Sequence, residues 1–388
     1  MILLIEMQCK DWEHSRVNSG LITQIHAAFP NEALMLCAEE KHIDQLDLLL
    51  RADGIDFDQE EIDFKDWRSG NQECKDDYAS LLEQVIESHA NADNIILLSC
   101  NKGIVLACSE ISKKHSDKDF FIVMHAALEE VRNYTNPSLR SELWRFLSCI
   151  KQKRRPEKPA ITMKTCMEKC ESSNCMFIVY SPNYKEGLKD NINHDIIEKI
   201  SFLHHPFFDL DRKESKNNIE HEKIIIGAYG QAFNHNAIRI INEYNKKYGT
   251  ENVEFRVHAK EDEEILKWSN VVKLFKEKHV SNELLDQAIK GFDFILIPYD
   301  SGQYTVTASG IFCDAISREV PLLMLNSPYF EYYSRYNIGY MECSIKKMVD
   351  CISMLDTRSA GKFRRGAHIL KNKAFDENVN KLRGLVRI

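Results

Sequence analysis

The chain repeatedly leaves a short, unbroken apolar run, enters a polar loop and continues into an amphipathic helical pattern. In the first half the apolar runs are MILLIEM (1–7), ALMLCA (33–38), NIILLSC (94–100), DFFIVMH (119–125) and MFIVYS (176–181). Helical patterns lie between them: SGLITQIHAAF after Asn18, DDYASLLEQVIESH from Asp76 and GIVLACSEISKKH from Gly103. A strand that is apolar at nearly every position must be covered on both faces. Strands of this kind alternating with helices predict a parallel sheet sandwiched between helical layers. The pattern restarts in the second half with KIIIGAYG (223–230), AIRIINEYNKKYG, VEFRVHA (253–259), FDFILIP (292–298), a helix at 309–318 and VPLLML (320–325).

With 388 residues there is room for two cores. The polar, aperiodic stretch FFDLDRKESKNNIEHEK separates the halves. The expected organisation is a first α/β domain over 1–206, a linker over 207–222, a second α/β domain over 223–356 and a helical tail over 357–388. That tail is long enough to pack back on the first domain. A second polar zone, KQKRRPEKP (151–159), is expected to project as a loop.

A net charge of −8 argues against a general nucleic-acid binder, so no nucleic-acid partner is expected. The 12 cysteines are scattered, mostly within apolar runs, which suits reduced thiols in a cytoplasm better than a disulfide framework. Cys166, Cys170 and Cys175 cluster without the close CxxC pairs usual for zinc, and idle thiols on a partly exposed loop or helix end are the expected reading. MILLIEMQ is interrupted too early by Glu6 for a signal peptide and reads as a buried first strand. No apolar run approaches the roughly 20 residues that cross a bilayer.

Chemistry is expected where strands empty into helices. In parallel α/β sheets ligands bind beyond the carboxyl ends of the strands, where helix N-termini offer unpaired N–H groups and partial positive charge to a phosphate. YDSGQYTVTASGIFCDA follows FDFILIP; Thr307 or Ser309 would cap the helix and Gly310 would let backbone approach an anion. Asp314, four residues on, would accept hydrogen bonds from sugar hydroxyls; the same residues also fit an ordinary helix start with a solvated carboxylate. IIIGAYGQ, with Gly227 and Gly230, is a second glycine-bearing junction in the same half, and the two together could flank a diphosphate. In the first half, MQCKDWEHSRVNSGLITQIH is expected to open a helix at Asn18, Ser19 and Gly20, with Glu13 and His14 in the preceding loop as candidate bases. Alternatively Trp12 anchors that loop and both are merely solvated. His125 ends its strand on the same expected edge and is either a third candidate or a core histidine.

From Lys223 to about Gly339 the chain resembles the donor-binding half of GT-B glycosyltransferases, close to the bacterial group with a GT4-like C-terminal domain. The resemblance rests on IIIGAYGQ, FDFILIPYD, TASGIFCDAISREVPLL and NSPYFEYY, and more loosely on residues 1–20. It implies an α/β fold of two Rossmann-like domains facing across a cleft, and transfer of a sugar from a nucleotide-diphosphate donor to a hydroxyl acceptor. It further implies that Gly230, Gln231, Thr307, Ser309 and Gly310 approach the diphosphate and that Asp314 and Tyr304 approach ribose or sugar. The base would lie near His258 and Lys260, while Glu13, His14 or His125 would face the acceptor. Retaining members carry a Glu eight positions before the Asp314 position, where this chain has Val306. That departure favours inversion slightly. No metal or other cofactor is implied: two helix N-termini would stabilise the leaving phosphate, and the nucleotide sugar is a co-substrate. Glycan or lipid-linked glycan acceptors in bacterial polysaccharide, lipopolysaccharide or capsule synthesis are the expected context. If the basic stretches KQKRR (151–155) and KFRRGAHILKNK (362–373) face the acceptor side, they would hold the protein at the inner, anionic membrane surface.

Three other readings compete. A metal-dependent transferase needs an Asp-x-Asp, which occurs twice, at Asp56–Asp58 and Asp209–Asp211. A nucleotide-sugar epimerase shares the two-domain fold, and a non-catalytic nucleotide-sugar binder would tolerate Val306.

Overall fold

The apolar runs form the centres of two parallel sheets in the computed structural model, which describes residues 1–65, 72–125, 128–133, 161–171, 173–207, 222–258, 264–275, 280, 282–300 and 302–386. The first sheet contains β1 (Ile2–Ile5), β2 (Leu34–Ala38), β3 (Asp58–Glu61), β4 (Asn94–Leu97), β5 (Asp119–Met124), β6 (Cys175–Val179) and β7 (Ile200–Phe202), in the order β3-β2-β1-β4-β5-β6-β7. The second contains β8 (Ile224–Ala228), β9 (Val253–Val257), β10 (Val271–Lys273), β11 (Phe294–Ile297), β12 (Leu322–Leu325) and β13 (Gly339–Glu342), in the order β10-β9-β8-β11-β12-β13. Both are doubly wound orders of the Rossmann type. In each the strand order reverses beside the first strand, between β1 and β4 and between β8 and β11. The fold class is therefore α/β with two Rossmann-like units.

The second sheet shows why its strands are apolar throughout. In β11, Ile295 and Ile297 enter one core with Ile311, Phe312, Leu322 and Met324. Phe294 and Leu296 enter the opposite core with Ile240, Val253 and Leu323. Alternate residues point to opposite faces, and helices cover both. Gly227, inside β8, belongs to this packing: a Cβ there would meet the Phe292 ring at 2.3 Å. It is a packing glycine rather than part of the junction.

The chain divides into two compact units, one of Met1–Tyr180, Tyr184–Leu203 and Leu382–Ile388, the other of Ser181–Asn183 and His204–Lys381. The last helix, Thr357–Leu385, thus contributes to both. Within the first unit Arg383 donates from Nε to the Ala28 carbonyl and from Nη2 to that of Ala27, both at 3.1 Å. Nearly all of the expected linker, and the basic stretch 151–155, lie outside the described residues.

Three expectations are corrected. The first helix runs from Ser15 to Ala28, three residues earlier than expected, so Asn18, Ser19 and Gly20 are buried helical residues and not its opening. Its start is fixed by His14 in the left-handed region (φ 53°) and by the Ser15 hydroxyl donating to the Trp12 carbonyl. The Trp12 side chain is 62% exposed and does not anchor the loop. Cys166, Cys170 and Cys175 are not partly exposed but fully buried. Cys175 Sγ lies 3.3 Å from Ser112 Oγ, and Cys170 Sγ points at the carbonyls of Cys166 and Val105. No described helix is long and apolar enough to cross a membrane.

Candidate functional site

In the second unit the two glycine-bearing junctions stand side by side at the switch point. β8 ends at Ala228 and the chain turns through Gly230 at φ 52°, a conformation that costs a side-chain-bearing residue about 1–2 kcal/mol. A Cβ at Gly230 would also sit 3.3 Å from Ile311 Cδ1, so the first junction touches the helix of the second. Asn234 caps the helix His235–Tyr248 by accepting from the N–H groups of Asn236 (2.9 Å) and Ala237 (3.2 Å). Asn236 Nδ2 then ties the two loops together, donating to the Pro298 carbonyl at 3.0 Å and to Asp300 Oδ1 at 2.9 Å. Tyr304, at φ 54°, donates its hydroxyl to Gln231 Oε1 and stacks on Tyr299 with centroids 4.5 Å apart.

The Ser309 hydroxyl plays a structural part. Ser309 is wholly buried; its Oγ accepts from Phe312 N at 3.3 Å and lies 3.0 Å from Tyr299 Oη. Thr307 is buried as well. Gly230, Gln231 and Gly310 are exposed. The N–H groups of Gly310 and Ile311 are the first two of the helix Gly310–Ser317 and have no intrahelical acceptor. Asp314 is held by Arg318, whose Nη1 donates to its Oδ1 at 3.1 Å, while Asp286 takes the other side of the guanidinium. Burial alone would lower Arg318, but Asp314 and Asp286 hold it above its ordinary value. Burial pushes the neighbouring Tyr229 phenol upward, and the Asp314 charge adds to this. His258 follows β9, with its ring edge-on to Phe275 at 5.6 Å; Lys260 lies outside the described residues.

In the first unit the structure brings two of the three candidate bases together. The rings of His14 and His125 lie 4.7 Å apart, and His125 is 5.3 Å from Tyr180. The Leu98 carbonyl, 3.1 Å from His125 Nε2, can only accept, so Nε2 carries the proton. Glu13 is exposed on the same loop.

What shapes that loop is Glu6, which in the sequence marks only the end of an apolar run. Its carboxylate is wholly buried and accepts from Gln8 N (2.8 Å), Cys9 N (2.9 Å), Asn18 Nδ2 (2.9 Å) and Ser99 Oγ (2.5 Å). Ser99 follows β4, so one carboxylate joins the loops after β1 and β4 at the first sheet's switch point. Asn18 Nδ2 also donates to His42 Nε2 at 3.2 Å, which leaves Nδ1–H to donate to the Asp11 carbonyl at 2.8 Å. The signal available was a lone acid directly after a buried strand, since a buried charge demands several donors.

Of the two Asp-x-Asp matches, Asp58 begins exposed edge strand β3 and Asp56 precedes it; Asp209 and Asp211 lie outside the described residues.

No protein-family model and no curated protein sequence matches the chain. Solved structures do. A glycosyltransferase from Rickettsia africae superposes with a TM-score of 0.62 at 13% identity, covering 99% of this chain and 98% of that one. The apo form of the lipopolysaccharide outer core galactosyltransferase WaaB gives 0.55 at 13% identity, with 98% and 99% coverage. A UDP-GlcNAc 2-epimerase from Neisseria meningitidis, bound to UDP-GlcNAc, gives 0.55 at 14% identity, with 98% and 100% coverage. At these identities the likeness is one of fold: the chain has the paired Rossmann-like architecture of GT-B proteins.

Proposed function

We propose that this protein is a glycosyltransferase that binds a nucleotide-diphosphate sugar in its second unit and transfers the sugar to a hydroxyl acceptor. The observation that carries the reading is the pair of capped helix N-termini, with exposed Gly230 and Gly310 backbone, at the switch point of the second sheet. As the glycosidic bond breaks, negative charge grows on the departing β-phosphate. Fixed N–H dipoles aimed at that charge stabilise it more than they stabilise the bound donor, which is what lowers the barrier. In this proposal Gly230, Gln231 and Gly310 approach the diphosphate, with Thr307 and Ser309 supporting the turn from beneath. Asp314 and Tyr304 border the ribose or sugar, and His258 and Lys260 border the nucleobase. No metal is needed for leaving-group departure.

His14 is the proposed base toward the acceptor hydroxyl, with His125 beside it and Glu13 as the exposed alternative. Val306 in place of a carboxylate supports direct displacement with inversion. Fold neighbours include a lipopolysaccharide galactosyltransferase, which favours a glycan or lipid-linked glycan acceptor in bacterial surface polysaccharide synthesis. Work at the inner face of the cytoplasmic membrane belongs to the same proposal; 362–373 lies in the last helix, with Lys362, Arg365 and Lys373 as its exposed cationic side chains for an anionic surface.

The UDP-GlcNAc 2-epimerase among the neighbours gives the second reading its footing. One experiment separates them. The protein is incubated with single nucleotide sugars, with and without glycan acceptors and in the presence of excess chelator, and products are resolved chromatographically. Transfer that needs acceptor and survives chelation supports the proposal. A changed sugar formed without acceptor overturns it in favour of the epimerase.

A further inference from the structure

In the first unit, on β2 and the edge strand β3 beside it, three side chains of different chemistry converge from three elements. Cys37 lies on β2, Glu60 on β3, and His89 follows the helix Gln72–Ser88. The thiol sulfur, one carboxylate oxygen and one imidazole nitrogen all lie within 4.8 Å of one another, the one such set among the described residues. We propose that Cys37, Glu60 and His89 form a binding site for a divalent metal of the zinc class.

Several observations fix the set. Cys37 and Glu60 are direct partners in the parallel β2–β3 register, so their side chains leave the sheet on the same face. His89 is set by the end of its helix, its N–H pointing to the Val85 and Ile86 carbonyls, and its Nε2 lies 2.6 Å from Glu60 Oε2. β3 has the sequence DQEE, with no apolar residue, so its position depends on pairing with β2 and on what Glu60 meets.

Thiolate, imidazole and carboxylate are all zinc donors. A tetrahedral zinc with bonds of roughly 2.0–2.3 Å holds its ligand atoms roughly 3.3–3.6 Å apart. To reach that arrangement the Glu60–His89 contact opens by about 1 Å and the sulfur closes by a similar amount, both within reach of side-chain rotation. The His89 side chain is 14% exposed and that of Glu60 38%, while Cys37 is fully buried. The ion would thus enter past Glu60 and keep an open position for water. Without an ion, burial and then the Glu60 charge push the Cys37 thiol up to about 12. Binding exchanges that proton for the metal, so it releases a proton and strengthens with pH. A plain His–Glu ion pair accounts for two of these groups, and removing the thiol tells the two cases apart.

The proposal is independent of the nucleotide junctions, and its test does not read activity. Metal-free, fully reduced protein is titrated with Zn²⁺ by calorimetry and with Co²⁺ by absorption. The expected result is saturable zinc binding, a rise in melting temperature, and a near-ultraviolet sulfur-to-cobalt charge-transfer band. Cys37→Ser should remove that band and weaken zinc binding more than about 100-fold, beyond the 10–100-fold cost of losing a supporting group. His89→Gln and Glu60→Gln, at partly exposed positions that tolerate change, should each weaken it at least about 10-fold. They carry the test should Cys37→Ser fail to fold. Absence of zinc binding, a charge-transfer band that persists in Cys37→Ser, or unchanged affinity in His89→Gln would overturn the proposal.

Discussion

His14 combines two properties that rarely coincide: a left-handed backbone and an exposed imidazole set 4.7 Å from a second imidazole. Asparagine tolerates the left-handed region well but cannot act as a base. His14→Asn should therefore leave unfolding free energy within about 0.5 kcal/mol of the parent, as surface changes usually do. If His14 is the base, kcat should fall about 10²–10⁴-fold. Denaturant unfolding and steady-state kinetics on the same variant check both parts; an unchanged kcat would remove His14 from the mechanism. Glu6 shows the complementary case of a residue whose whole effect is indirect. With four donors on one buried carboxylate, it holds the loop that presents His14 without approaching solvent.

At the scale of elements, the junction helices stand on their caps. Ser309 and Asn234 satisfy first-turn N–H groups that would otherwise be orphaned, and Ser309 also partners buried Tyr299. Ser309→Ala should cost about 1 kcal/mol for the cap, measurable as a lower urea midpoint at unchanged slope. A loss well under half that would mean that the cap contributes little. Apart from β9, which alternates, the strands that sequence patterning locates are those buried on both faces, because only burial forces every position to be apolar. Strands β3 (DQEE), β7 (ISF), β10 (VVK) and β13 (GYME) escape such reading. They lie at or next to sheet edges, where a face or a flank is open and polar residues deter further pairing. Gly230 was legible because its positive φ angle and close approach to Ile311 are local needs. The Ser309 cap was legible too, but the contact of its hydroxyl with Tyr299 and the hold of Asp286 on Arg318 were not, since the first depends on how the intervening loop folds and the second on a residue 32 positions away.

At the scale of the whole molecule, the last helix begins in the second unit and ends in the first. Where the chain enters the second unit, His204 and Asn378 exchange backbone–side-chain hydrogen bonds, both 2.7 Å, and His204 Nε2 donates to Glu377 at 2.8 Å. Burial lowers the His204 imidazole below its ordinary 6.5, against the opposing pull of Glu377. The unfolded chain therefore binds more protons at this position in the window just below 6.5, and stability falls as pH falls through it. The slope is at most about 1.4 kcal/mol per pH unit. Urea unfolding between mildly acidic and neutral pH, with His204→Gln as reference, should show the parent losing stability faster; equal slopes would contradict the assignment. The central claim, that paired helix N-termini of the second unit hold a diphosphate, is tested most directly by thermal unfolding with nucleoside diphosphates. A cognate ligand at 100 times its Kd should stabilise the parent by about 2.7 kcal/mol and raise its melting temperature, whereas Gly230→Val should lose that rise. No shift with any nucleoside diphosphate, or an equal shift in Gly230→Val, would contradict the account.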